Sequence, residues 1–184
     1  MIAYIVCEGS FDVQLLKTVL PEELLNNVEI VSAGGLSAVK SLARSLIVRR
    51  QVPVAIVVDA YSVAPEVVQE RLKNIEELVE SVSVNIPFKV IAAVPQTEII
   101  FFQDIGLLSR LLGYEPSQDM LTSAAFQPCK TLKELLSQSH KDYSFSQILN
   151  QLTNADLEIL RQAPFIQELI PFLQSVQKIA TVNF

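Results

Sequence analysis

The chain has 184 residues, of which half are hydrophobic and 18% are charged. The charged share is below the roughly 25% of an ordinary soluble domain, so there is material for a large core, and intrinsic disorder is excluded. Fourteen basic residues against twenty acidic ones leave a net charge of −6, which disfavours a broad nucleic-acid surface and leaves room only for local basic strips.

The first hundred residues alternate short apolar runs with helical patterns. Residues 2–6 are a continuous apolar run rich in β-branched residues, as in a strand buried on both faces. Residues 11–20 carry apolar side chains at helical spacing and stop at Pro21. Residues 28–31 read as a second strand, followed by Ala33-Gly34-Gly35 and an amphipathic helix over 36–50. A third strand over 54–58 ends at Asp59, and Pro65 suits the first position of a helix running to about residue 82. Residues 88–94 form a fourth strand. Repeated βα units predict an α/β fold, a Rossmann-like parallel sheet with helices on both faces.

Beyond Thr97 the strand signal fades. Residues 98–112 read as one helix or two short ones broken near Gly106, and 113–128 read as irregular. A capping box at Thr131–Glu134, a weaker helix start at Thr153–Asp156 and a helical stretch over 165–179 complete the chain. The expected division is an α/β domain over 1–112 and a helical C-terminal appendage over 113–184 packed on it.

No run approaches the ~20 apolar residues of a membrane span, and the N-terminus has no signal-peptide pattern, since Glu8 follows only seven residues. One histidine and two cysteines cannot assemble a typical structural zinc site or a disulfide framework, so a cytoplasmic protein is expected. Neither GxxxxGK[ST] nor GxGxxG occurs.

In open parallel sheets, ligands bind beyond the carboxyl ends of the strands. Those positions carry Glu8-Gly9 with Asp12, then Gly34-Gly35, then Asp59, then Pro95-Gln96-Thr97-Glu98. In the strand order 2-1-3-4, Glu8, Asp59 and Glu98 converge. Converging carboxylates repel and raise one another's pKa, and a Mg²⁺ ion relieves this because it prefers oxygen ligands and takes one or two carboxylates among its waters. Glu8 is then the candidate catalytic residue, with Glu8, Asp59 and Glu98 as metal ligands. Gly34 and Gly35 are candidate phosphate-binding residues, and Asp12 and Lys130 are secondary candidates. Each has a plainer reading: carboxylates suit helix N-termini, and the glycines suit a tight turn. Cys7 reads as buried packing, His140 as solvated, and Arg44, Arg49 and Arg50 as a solvated helix face.

The order strand, Glu8-Gly9, Asp12, Ala33-Gly34-Gly35, then Asp59 closing strand three resembles a Toprim domain. The resemblance is closer to the small stand-alone Toprim-like proteins related to the overcoming-lysogenisation-defect nucleases. It extends to Pro95-x-x-Glu98 before the apolar Ile99 to Phe102, to Pro128-x-Lys130 and to the helical tail. It implies Mg²⁺ or Mn²⁺ as cofactor and a nuclease or another phosphodiester-acting enzyme. Alternatively, it implies an inactive Toprim-like module that accompanies a protein partner such as an ATPase. One departure stands out: the family's Asp-x-Asp is here Asp59-Ala60-Tyr61, and a phenol titrating near pH ~10 is a poor Mg²⁺ ligand.

Overall fold

The computed structural model describes residues 2–139 and 144–182; the reading of His140 lies outside them. Four strands, β1 (Ala3–Cys7), β2 (Val28–Ser32), β3 (Val54–Asp59) and β4 (Phe88–Ala93), form one sheet in the order β2-β1-β3-β4. Every pairing is parallel, with Tyr4 opposite both Glu29 and Val54, and Val57 opposite Ile91. The fold is therefore α/β, with β1 and β3 at the centre.

The sheet's periodicity explains why its central strands read as unbroken apolar runs. Ile5, Cys7, Ala55, Val57, Ile91 and Ala93 pack on one face, and Tyr4, Val6, Val54, Ile56, Val58 and Val90 on the other. With both faces covered, no position in β1 or β3 is polar until Asp59 closes the latter. Helices α3 (Leu36–Arg50) and α4 (Pro65–Glu80) cover the second face through Val39, Ala43, Ile47, Ile75 and Val79.

The opposite face is covered by α1 (Ser10–Val19), the short α2 (Glu22–Leu25) and the C-terminal helices. After β4 come a 3-10 turn at Thr97–Phe102 and α5 (Ile105–Leu112). The break falls at Asp104, not Gly106, because the Asp104 side chain accepts from Leu107 N at 2.7 Å and caps α5. Residues 113–128, expected to be irregular, contain α6 (Gln118–Ala124), which Ser117 caps by accepting from Met120 N. Helix α7 (Pro128–Gln138) begins three residues before the expected Thr131 start. Proline at its first position has the required φ and no N–H to leave unpaired, so Thr131 lies buried inside the helix. Helix α8 (Phe145–Leu149) opens on a Ser144–Gln147 capping box, α9 (Asn154–Leu160) on a Thr153–Asp156 one, and α10 (Pro164–Val182) closes the chain. Leu132, Leu135, Ile148, Leu160, Phe165, Ile166 and Leu169 join Ile5, Val57 and Ile91 in one continuous core. Among the described residues no helix is long and apolar enough to cross a membrane.

Candidate functional site

The parallel sheet brings the carboxyl ends of β1, β3 and β4 to one edge, and a chain of hydrogen bonds joins them there. Glu8 follows β1 directly. Its Oε1 accepts from Asp59 N at 3.0 Å, and its Oε2 accepts from the Tyr61 hydroxyl at 3.3 Å. Asp59, 9% exposed, accepts from Thr97 N at 2.9 Å. The Thr97 hydroxyl donates to Asp12 Oδ1 at 2.8 Å, and Asp12 Oδ2 accepts from Gly9 N at 2.8 Å. Glu8, Asp12 and Asp59 are thus linked through Thr97 and two backbone amides.

Glu98 stands beside them in the 3-10 turn, 7% exposed. Its Oε2 is buried without a hydrogen-bond partner, while the Cys129 thiol bonds to the carboxylate and the Lys133 charge acts on it. Four carboxylates therefore meet at one edge. Among the described residues no lysine or arginine forms an ion pair with any of them.

The electrostatic consequence is concentrated on Asp59. Burial first, then the charges of Asp12 and Glu98, push its carboxyl up to about 8, against the Thr97 N–H, which favours the ionised form. Burial also holds Glu98 above the usual carboxylate range, opposed by hydrogen bonds from its own backbone amide and from Cys129. Asp59 therefore holds its proton more tightly than an ordinary carboxyl. Cys7, fully buried beneath it, is pushed up to about 12 by burial and then by Asp12 and Glu8, which makes it packing rather than a nucleophile.

Tyr61 occupies the second-acid position in an unusual way. Its backbone is left-handed, at φ 54°, and its N–H is anchored on the Pro95 carbonyl at 2.8 Å. The Arg71 guanidinium lies 5.4 Å from the ring centroid, within the range of a cation–π contact. Partial burial, then the charges of Asp59 and Glu8, hold the phenol above its usual range, so it remains a donor.

The other sequence candidates fall differently. Gly34 and Gly35 have φ of 87° and 124°, the backbone that only glycine adopts freely. Both of their amides donate to the Glu8 carbonyl, at 2.9 and 3.2 Å. In this arrangement they brace the Glu8 backbone. Lys130, with a 71% exposed side chain, faces Glu134 at 4.0 Å on the surface of α7. The lysine acting on Glu98 is Lys133, one turn on. Thr97 is the buried link between Asp12 and Asp59.

The donors suit a hard cation in kind, being anionic oxygens with one buried and unpaired. In arrangement they do not form a multidentate cage: among the described residues no group of three or more His, Cys, Asp or Glu side chains is placed to hold a metal ion.

No family model matches the chain, and no curated protein matches it. Solved structures do. The C-terminal region of the Burkholderia pseudomallei OLD protein, 14% identical, matches with a TM-score of 0.55 over 95% of this chain and 98% of that one. The C-terminal region of the Xanthomonas campestris pv. campestris OLD protein, 16% identical, matches with a TM-score of 0.51 over 97% and 98%. OLD stands for overcoming lysogenisation defect, and these regions carry a Toprim domain. At such identity the likeness is one of fold: this chain has the Toprim-like α/β fold of OLD C-terminal regions, with their helical tail.

Proposed function

We propose that this chain is a Toprim-like module that takes a divalent cation, Mg²⁺ or Mn²⁺, weakly and through at most two of the three carboxylates Glu8, Asp59 and Glu98. The observation that carries this reading is Asp59, buried beside Glu8, Asp12 and Glu98, none of them in an ion pair with a lysine or arginine among the described residues. Such a centre takes up either a proton or a cation. The two compete for Asp59. Bound there, a divalent cation would neutralise the cluster and offer Lewis acidity to a phosphoryl oxygen.

The chain's own residues restrict the chemistry open to such a centre. Glu8 is held by Asp59 N and the Tyr61 hydroxyl, so it orients the edge and competes poorly as a free base. With Tyr61 in place of an acid, a second cation has no carboxylate of its own, and the two-ion clamp of many phosphodiester-cleaving enzymes is not available. Weak cation binding without efficient hydrolysis is the reading this geometry supports best.

A second reading is an inactive module that docks a protein partner such as an ATPase. It is favoured by the exposed apolar side chains Tyr61, Val63 and Val67, 55%, 44% and 45% exposed, which follow the acidic centre in sequence. Calorimetric titration of Mg²⁺ and Mn²⁺ into the wild type, Tyr61→Asp and Glu8→Ala tests the first reading. Tyr61→Asp should bind more tightly and Glu8→Ala more weakly. Identical, featureless titrations of all three leave the partner module as the account of this chain.

A further inference from the structure

On the second face of the sheet, α3 and α4 border an open cleft of about 250 Å³, lined by Leu36, Lys40, Val67, Glu70, Arg71 and Asn74. We propose that this cleft binds one phosphate group of a small anion, with Lys40 and Arg71 as its charged ligands and the Asn74 amide as a neutral donor. The site adjoins the carboxylate centre, which Arg71 touches through the Tyr61 ring, but shares none of its carboxylates.

Charge is the first argument. The protein carries six more acids than bases, yet Lys40 and Arg71 form no ion pair with any carboxylate among the described residues. Both are half-buried, unlike the exposed Lys73 on the same helix as Arg71, which faces Glu77 at 3.8 Å. An anionic ligand would supply the charged partner that both lack. Glu70, the one acid in the lining, leaves the cleft with a net charge of +1, from two cations and one carboxylate.

Geometry is the second. Both helices start at the carboxyl edge of the sheet, after β2 and β3, and helical side chains lean toward the N-terminus. The Arg71 guanidinium reaches back toward that edge and covers the Tyr61 ring, while Lys40 lines the same cleft from α3. Leu36 and Val67 supply apolar walls, which strengthen charge-assisted hydrogen bonds.

Size is the third. The volume is below the roughly 300–1,000 Å³ of pockets for drug-sized ligands, so the cleft holds a phosphate rather than a whole nucleotide. That phosphate belongs either to a free small anion or to the end of a strand that projects into solvent.

The test is an NMR titration of the full chain with inorganic phosphate, free of divalent cations, with chloride at equal ionic strength as control. The proposal expects saturable shifts at Lys40, Arg71 and Asn74. Lys40→Gln and Arg71→Gln should each weaken binding roughly tenfold, the worth of one charge-assisted hydrogen bond, and Lys73→Gln should leave it unchanged. A second arm adds a short 5′-phosphorylated single-stranded oligonucleotide: competition with phosphate identifies a strand end as the source, and absence of competition identifies the free anion. No saturable response to phosphate, or a response that survives both Lys40→Gln and Arg71→Gln, overturns the proposal.

Discussion

The Tyr61 hydroxyl donates to Glu8 Oε2 across 3.3 Å, joining the residue after β1 to the loop after β3. A phenol thus stands where the Toprim pattern puts a second acid, and it meets the first acid as a donor rather than repelling it. The ring is covered by Arg71, and the backbone is held left-handed by the bond to Pro95. The substitution changes the sign of the interaction at this edge.

Tyr61→Asp should therefore lower the stability of the cation-free protein, because it adds a fifth carboxylate to a cluster in which no carboxylate is ion-paired among the described residues. Mg²⁺ should restore part of that loss, raising the melting temperature of the variant more than that of the wild type. Tyr61→Phe removes a single half-exposed bond and should cost no more than about 1 kcal/mol. Thermal melts with and without Mg²⁺ separate the variants; a Tyr61→Asp protein as stable as the wild type without metal would show that the side chain does not face the cluster.

Asp59 gives the folding stability a pH dependence of definite sign. Its carboxyl is raised from 3.8 to about 8 in the native state, so between those values the native protein holds a proton that the unfolded chain has lost. Stability should be full below about pH 4 as far as this group is concerned, fall as pH rises, and level off above about pH 8. The slope should reach at most about 1.4 kcal/mol per pH unit. Asp59→Asn keeps the acceptor for Thr97 N and should flatten the profile. Urea denaturation across this range is the measurement, and an unchanged slope in Asp59→Asn would place the proton elsewhere.

Thr97 links Asp12 to Asp59 while only 2% exposed. Thr97→Val keeps the shape and the backbone bond but removes the hydroxyl donor, leaving a buried carboxylate oxygen of Asp12 unpaired. A loss of about 1–3 kcal/mol is expected, with Thr97→Ser losing less. Equal denaturation midpoints for Thr97→Val and the wild type would contradict the linkage.

The two thiols should be unreactive in the native protein. Cys7 is fully buried and pushed up to about 12, and burial with the charge of Glu98 pushes Cys129 up to about 11. At neutral pH neither supplies appreciable thiolate. Mass spectrometry after iodoacetamide treatment should find labelling only in denaturant; rapid native labelling of Cys7 would mean that the sheet edge opens.

Much of the sheet is legible in the sequence because each central strand is buried on both faces, so its apolar run is continuous and short, with an acid or a turn at its carboxyl end. The helix starts are harder to read wherever two signals compete. Thr131–Glu134 has the spacing of a capping box, but Pro128 starts α7 one turn earlier. Gly106 looks like a breaker, but Asp104 supplies the cap. Ser117 and Ser144 are the caps that mark α6 and α8, and neither is followed by a strong apolar periodicity. At the edge of the sheet, Glu8, Asp12, Asp59 and Glu98 can be named because parallel strands deliver their ends together. The roles of Thr97 and Lys133 cannot: they depend on side-chain directions that spacing does not carry. The amides of Gly34 and Gly35 escape a reading from spacing for a similar reason, since their acceptor is a backbone carbonyl in another turn.

The central claim is that a cation and a proton compete for Asp59, and it is tested most directly by calorimetric titration of Mg²⁺ in buffers of different ionisation enthalpy, at about pH 7 and about pH 9. With Asp59 titrating at about 8, the account predicts weak binding that releases close to one proton at the lower pH and tightens, with little release, at the higher. Binding that is independent of pH and unaffected by Asp59→Asn, or the absence of binding at either pH, would contradict it.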